Sequence, residues 1–264
     1  MVVNIMKVIS VFNQKGGVGK TTTNINLCSY LCMEGYKVLA IDVDPQGNTT
    51  SGLGIDKNSL ATSMYDLLTS DIDIRETIIT CELLNNLYLI PSNLDLAGAE
   101  VEIINLKHRE SILKNKIEKI KDEFDFVFID CPPSLGFLTL NALVASHSVL
   151  VPMQCEYYAL EGVGQLINTV QLVKKSLNQH LELEGVIVNM FDGRTKLSSE
   201  VFSEIKKYFK DKVFDVTIPR NVKLAEAPSF GLPIALYDDK CKGAEAYKNL
   251  TKEFLRRKKD IKNE

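Results

Sequence analysis

The chain has 264 residues, of which 45% are apolar and 25% charged, with a formal net charge of -3 at neutral pH. This composition suits a chain that buries its own core and excludes collagen-like, low-complexity and wholesale nucleic-acid-coating classes, though it leaves room for a local basic patch. Six cysteines scattered through apolar segments predict reduced thiols in a cytoplasmic protein rather than a disulfide scaffold, and no run approaches the ~18 apolar residues of a membrane span.

Lys7–Phe12 is the first strand-length apolar run, and the short apolar stretch before it reads as its lead-in rather than an export signal. The segment VFNQKGGVGKTTTNINL, Val11 to Leu27, follows. A strand, a glycine loop and a helix opening on Lys-Thr-Thr form the P-loop arrangement. Gly16, Gly17 and Gly19 let the backbone approach a phosphate and reach positive φ, and the amides from Gly16 through Val18 to Thr22 line an anion cradle at a helix N-terminus. Lys20 supplies a point charge to the β- and γ-phosphates, and the Thr21 hydroxyl suits Mg²⁺. Gln14 stands where the usual first glycine would be, and a second lysine, Lys15, opens the loop.

Val38–Ile41 is the second strand, and Asp42 and Asp44 beyond it lie two apart, on one side of an extended segment at the ligand-binding end of an open sheet. Thr49–Asn86 is the least regular stretch, Leu87–Ile90 the next strand, and Asn93–Lys121 reads as helix with a charged outer face. Phe124–Ile129 is a buried strand ending on Asp130; beside a P-loop this is the Walker B pattern, a carboxylate that reaches magnesium through water. Ser148–Pro152, Gly185–Asn189 and Val213–Ile218 complete the strands. Helical patterns between most strands predict an α/β fold, a P-loop NTPase with a mainly parallel sheet covered on both faces. Without a linker or repeat, residues 1–264 read as one domain, with residues 254–264 a fraying basic helix.

The string KGGVGKTT resembles the deviant Walker A motif of the ParA/MinD ATPases, and DVDPQGN, IDCPPSLG, QCEYYALEG and IPRNVKLAEAPS follow in the order of its ParA/Soj branch. The resemblance covers Lys7 to about Leu250 and implies an ATPase using ATP and Mg²⁺. It implies that Lys15 reaches across a sandwich homodimer to the other subunit's phosphates, and that Asp44 orients the attacking water, with Asp42 near the magnesium's outer shell. It further implies that Asn189 hydrogen-bonds the adenine while Pro219 and Asn221 line the base, and that Arg194 and Lys223 face DNA. The function implied is a switch for chromosome or plasmid segregation. ATP drives dimerisation and non-specific binding to double-stranded DNA on the nucleoid, and a ParB-type centromere-binding partner stimulates a slow turnover.

Two other functions sit on such a fold. A membrane-associated cell-division regulator resembling MinD needs a C-terminal amphipathic helix with a broad apolar face, and from Leu250 onward only Leu250, Phe254, Leu255 and Ile261 are large and apolar. A reductase resembling nitrogenase iron protein needs cluster-ligating cysteines, and Cys28 and Cys32 fall on a core-facing helix side. Neither a membrane nor a metal cluster is expected. His108, His147 and His180 are dispersed and read as structural or exposed.

Overall fold

A computed structural model describes the backbone of residues 6–156 and 159–262, and the side chains of 6–156 and 164–258. The lead-in at 1–5, two residues of the QCEYYALEG string and the last two residues of the expected fraying tail lie outside the described residues. Seven strands form one sheet: β1 (Lys7–Val11), β2 (Val38–Asp42), β3 (Ile79–Thr80), β4 (Leu87–Ile90), β5 (Phe126–Asp130), β6 (Ser148–Gln154) and β7 (Glu182–Asn189). Their order is β3-β4-β2-β5-β1-β6-β7, and every pairing is parallel except that of the two-residue edge strand β3 with β4.

The strands read as continuous apolar runs because both faces are covered. Val8, Leu39, Ile41, Val127 and Ile129 enter one core, against helices α3 (Met64–Thr69), α4 (Leu96–Glu102), α5 (Ile112–Ile117) and α6 (Phe137–Ala145). The alternate residues Ile9, Val11, Val38, Ala40 and Phe128 enter the other, against α1 (Lys20–Met33) and the C-terminal helix (Lys242–Lys262). This period of two is what a pleated strand dictates. It brings the C-terminal ends of β1, β2 and β5 side by side, with Asp42 and Asp130 as register partners.

Two expectations need correction. Val213–Ile218 runs beside β7, but only single bridges form, Val186 with Val213 and Phe191 with Pro219. The amides of Asp215 and Val216 donate instead to the buried Glu253 carboxylate at 2.9 and 3.0 Å, which removes them from the ladder. Asn93–Lys121 is broken: α4 ends at Glu102, and His108 at φ 56° precedes the restart that leads into α5. A left-handed residue without glycine's freedom cannot sit inside a helix.

The helix expected to fray from residue 254 is held to the body. Phe254 is buried, and Arg257 donates to Glu253 and to the carbonyls of Asp211 and Val213. Lys258 pairs with Glu184, which burial alone would push up but which its lysine neighbours hold below the usual carboxylate range.

Candidate active site

The loop between β1 and α1 curls around an open space. Gly17 and Gly19 take φ of 73° and 88°, and a methyl group on Gly19 would stand 2.6 Å from the Asn189 side chain, so residue 19 meets both conditions that demand glycine. Loop shape is fixed from neighbouring strands: Asn13 Nδ2 donates to the Pro152 carbonyl at 2.8 Å, and Gln154 Nε2 to the Gly17 carbonyl at 2.7 Å. Lys20 is buried, with Nζ folded back 3.1 Å from the Lys15 carbonyl. Burial lowers its pKa, against the pull of Asp130, Cys131 and Asp44. A cation held out of water with only a carbonyl partner among the described residues is poised for a stronger anion.

Thr21 and Thr49 both donate their hydroxyls to Asp130 Oδ2, at 2.7 and 2.8 Å. Asp130 Oδ1 is buried and has no partner among the described residues. Burial pushes the Asp130 and Asp42 carboxyls up, and for Asp42 the nearby Asp130 charge adds to it. An orphaned oxygen, a threonine hydroxyl and a surplus of carboxylate make a site that a hard divalent cation would satisfy. Asp42 differs from expectation. It is fully buried, and its oxygens accept from the Asp44 amide and from the Thr50 amide and hydroxyl. It therefore organises the loop after β2, with both of its oxygens already engaged by the protein.

A cleft of about 690 Å³ is lined by Gly16, Lys20, Thr21, Asp44, Pro132 and Pro133. A second cavity, of about 310 Å³, adjoins it across Gly19 and Thr22 and is lined by Asn189, Pro219, Asn221 and Tyr247 among others. The polar, glycine-walled space suits phosphates and the more apolar one suits a base. Asn189 anchors the boundary: its Nδ2 donates to the Val18 carbonyl and the Thr23 hydroxyl, while its Oδ1 is buried without a partner among the described residues. Asn221 caps the short helix Val222–Glu226 through the Lys223 amide.

Lys15 is the exception to this convergence. Its ammonium pairs with Glu156, beyond the end of β6, and its side chain is half exposed. Arg194 and Lys223 lie outside both cavities and are likewise neutralised locally. Arg194 donates to both oxygens of Asp192 at 2.8 and 2.7 Å, and Lys223 to Glu226 at 3.0 Å. Thr49, Gln154, Glu156 and Tyr247 escaped the sequence reading. They come from a short helix after β2, the end of β6, the segment just beyond it and the C-terminal helix, and only the fold brings them to the loop.

Comparison with known proteins fits this geometry. Residues 6–183 match the AAA_31 family, an AAA domain. The sporulation initiation inhibitor Soj of Bacillus subtilis is 54% identical over 94% of this chain and 97% of its own, and the chromosome partitioning protein ParA of Myxococcus xanthus 49% identical over 95% and 88%. The chain belongs to the Soj/ParA family of chromosome-partitioning ATPases. Among solved structures, a cobyrinic acid a,c-diamide synthase from Mycobacterium smegmatis with ADP and magnesium superposes with a TM-score of 0.84 at 38% identity, covering 96% of both chains. A protein assigned to plasmid partition in Borrelia burgdorferi, bound to AMPPNP, gives 0.80 at 30% identity, over 95% and 99%. The two carry different names on one fold, so the fold alone does not choose the function.

Proposed function

We propose that this protein is an ATP-dependent switch for DNA segregation. Lys20 and the amides from Gly16 to Thr22 bind the triphosphate of ATP, and the base enters the cavity bounded by Asn189, Pro219 and Asn221. Thr21, with Asp130 through water, would hold Mg²⁺, which supplies charge neutralisation at the β- and γ-phosphates. Asp44 orients the attacking water, and Lys20 neutralises charge that grows on the phosphoryl oxygens.

The observation that carries the reading is the posture of Lys15. Its backbone belongs to the loop, yet its ammonium is turned to Glu156 rather than to its own cleft. Such an exposed pair is weak and can be exchanged. Lys15 therefore serves a nucleotide bound by a second copy of the chain, and dimerisation and nucleotide state become one equilibrium. The cations at Arg194 and Lys223 follow the same logic. Each is held by a surface carboxylate at little energetic gain, and each can be surrendered to a phosphate once dimerisation doubles the number of contacts. A ParB-type centromere-binding partner then stimulates hydrolysis and releases the dimer from double-stranded DNA on the nucleoid, whether the gene is chromosomal or plasmid-borne.

The membrane-associated alternative needs a C-terminal helix free to lie on lipid. Leu250 and Phe254 are buried against the body and Arg257 and Lys258 are tied to it, which counts against that reading. Among the described residues no helix is long and apolar enough to cross a membrane. Co-sedimentation with DNA and with anionic liposomes, each with ADP and with ATP, separates the two. Pelleting with DNA only in ATP is expected; pelleting with liposomes and not with DNA would contradict the proposal.

A further inference from the structure

The loop that carries Asp44 is anchored on both sides of it, by the Val43 amide on the Asp130 carbonyl at 3.0 Å and by Lys57 Nζ on the Gln46 carbonyl at 2.7 Å, but the bonds of Asp44 itself are mostly local. The Asp44 amide donates to Asp42 Oδ1, its carbonyl accepts from the Gly47 amide at 2.8 Å, and its Oδ1 accepts from the Gln46 amide at 2.9 Å. All three bonds are internal to residues 42–47, so none of them ties Asp44 to a segment remote in the chain. Among the described residues, one hydrogen bond reaches Asp44 from elsewhere. Ser92, just beyond β4 and fully buried, donates its hydroxyl to the Asp44 carbonyl at 2.9 Å. The Ser92 amide in turn donates to Thr50 Oγ1 at 2.9 Å, and that hydroxyl donates to Asp42 Oδ2 at 2.8 Å.

Contact between the two segments is tight as well as polar. A methyl group on Gly47, at φ 60°, would stand 2.6 Å from the Ser92 carbonyl oxygen. Ser92 and Thr50 therefore form a two-point brace between the segment after β4 and the loop after β2, one point on the Asp44 carbonyl and the other, through Thr50, on Asp42.

We infer that Ser92, seconded by Thr50, is a positioning residue for ATP hydrolysis: it sets where the Asp44 carboxylate sits over the cleft without touching the nucleotide. The inference rests on the proposed role of Asp44. Water attack tolerates little misplacement of the group that orients it, whereas the phosphate cradle from Gly16 to Thr22 shares no bond with Ser92. Loss of the brace therefore lowers turnover and spares nucleotide affinity.

The test uses the full chain with ATP and Mg²⁺, measuring kcat, the Kd of a non-hydrolysable ATP analogue and the thermal midpoint. Ser92→Ala is expected to lower kcat about tenfold while Kd stays within about twofold. Thr50→Val, which keeps shape and removes the hydroxyl, lowers kcat similarly, and Thr50→Ser recovers most of that loss. In an Asp44→Ala background, Ser92→Ala is expected to cost nothing further, since the residue acts only through Asp44. An unchanged kcat in Ser92→Ala overturns the inference, as does a full further loss in the Asp44→Ala background or a rise in Kd with a fall in midpoint while kcat of the folded protein is preserved. If Ser92→Ala does not fold, the Thr50→Val and Thr50→Ser pair decides on the same readouts. If Asp44→Ala itself hydrolyses ATP normally, the underlying reading of Asp44 fails instead, and the two failures are told apart by that single variant.

Discussion

The phosphate cleft and the cation patch around Arg194 are built on opposite principles. In the cleft, Lys20, Thr49 and Asp130 are buried and Thr21 half-buried; the two threonine hydroxyls hold Asp130 by short hydrogen bonds, Lys20 leans on the Lys15 carbonyl, and one carboxylate oxygen is left without a partner among the described residues. Around Arg194, the side chain is 90% exposed and its charge is cancelled by Asp192 two residues away, which the arginine holds well below the usual carboxylate range. Buried groups cannot be left half satisfied, so the cleft is committed to its ligand before the ligand arrives. Exposed pairs cost little to make or break, so the patch is committed to nothing until many cations act together.

Substitutions in the two regions should therefore differ in size and kind. The largest effect is expected at Lys20: Lys20→Ala should lower ATP turnover about a thousandfold, read as phosphate release, because no other buried cation serves the cleft. Asp44→Ala should lower turnover about a hundredfold and let an ATP-bound dimer accumulate, visible by size-exclusion chromatography; a monomer alone with ATP would break the link between hydrolysis and release.

At the patch, Arg194→Ala should weaken DNA binding about five- to tenfold and reduce the slope of a salt titration by about one. The thermal midpoint should not move, since the lost pair is exposed. An unchanged salt slope would remove Arg194 from the patch and blunt the contrast.

The smallest effect concerns pH and lies at the opposite end of the sheet. His147 accepts the Val8 amide at Nδ1, and partial desolvation with the Lys7 charge lowers its pKa. A folded-state pKa below the unfolded one means the unfolded chain binds more protons in the window between them. The contribution of His147 is thus present above its ordinary pKa near 6.5 and is lost as pH falls through and below it. The thermal midpoint should drop slightly more between pH 7.5 and 5.5 in the natural chain than in His147→Gln, whereas ATP affinity should not discriminate between them.

Where the sequence was legible, chemistry and chain position coincide. Strand β1, the glycine loop and the opening of α1 are contiguous, and Phe126–Asp130 announces itself by apolar residues ending on one carboxylate. Where it was not, a distant group decides. Val213–Ile218 has the residues of a strand, but Glu253, far along the chain, takes two of its amides. Asp42 is expected near the magnesium's outer shell, and the bonds it accepts from Thr50, eight residues on, are not legible in its spacing from Asp44. Ser92 carries no motif at all; its role is visible only because β2 and β4 are neighbours and their following loops meet.

The central claim, that Lys15 serves the nucleotide of another copy, is tested most directly by mixing two variants. Lys15→Ala lacks the visiting cation and Asp44→Ala lacks the group that orients water, so each alone should hydrolyse ATP poorly. In a mixed dimer the intact Lys15 of one subunit meets the intact Asp44 site of the other, and an equimolar mixture should recover roughly a quarter of natural turnover, as random pairing dictates. A mixture no more active than the average of its two components would contradict the account.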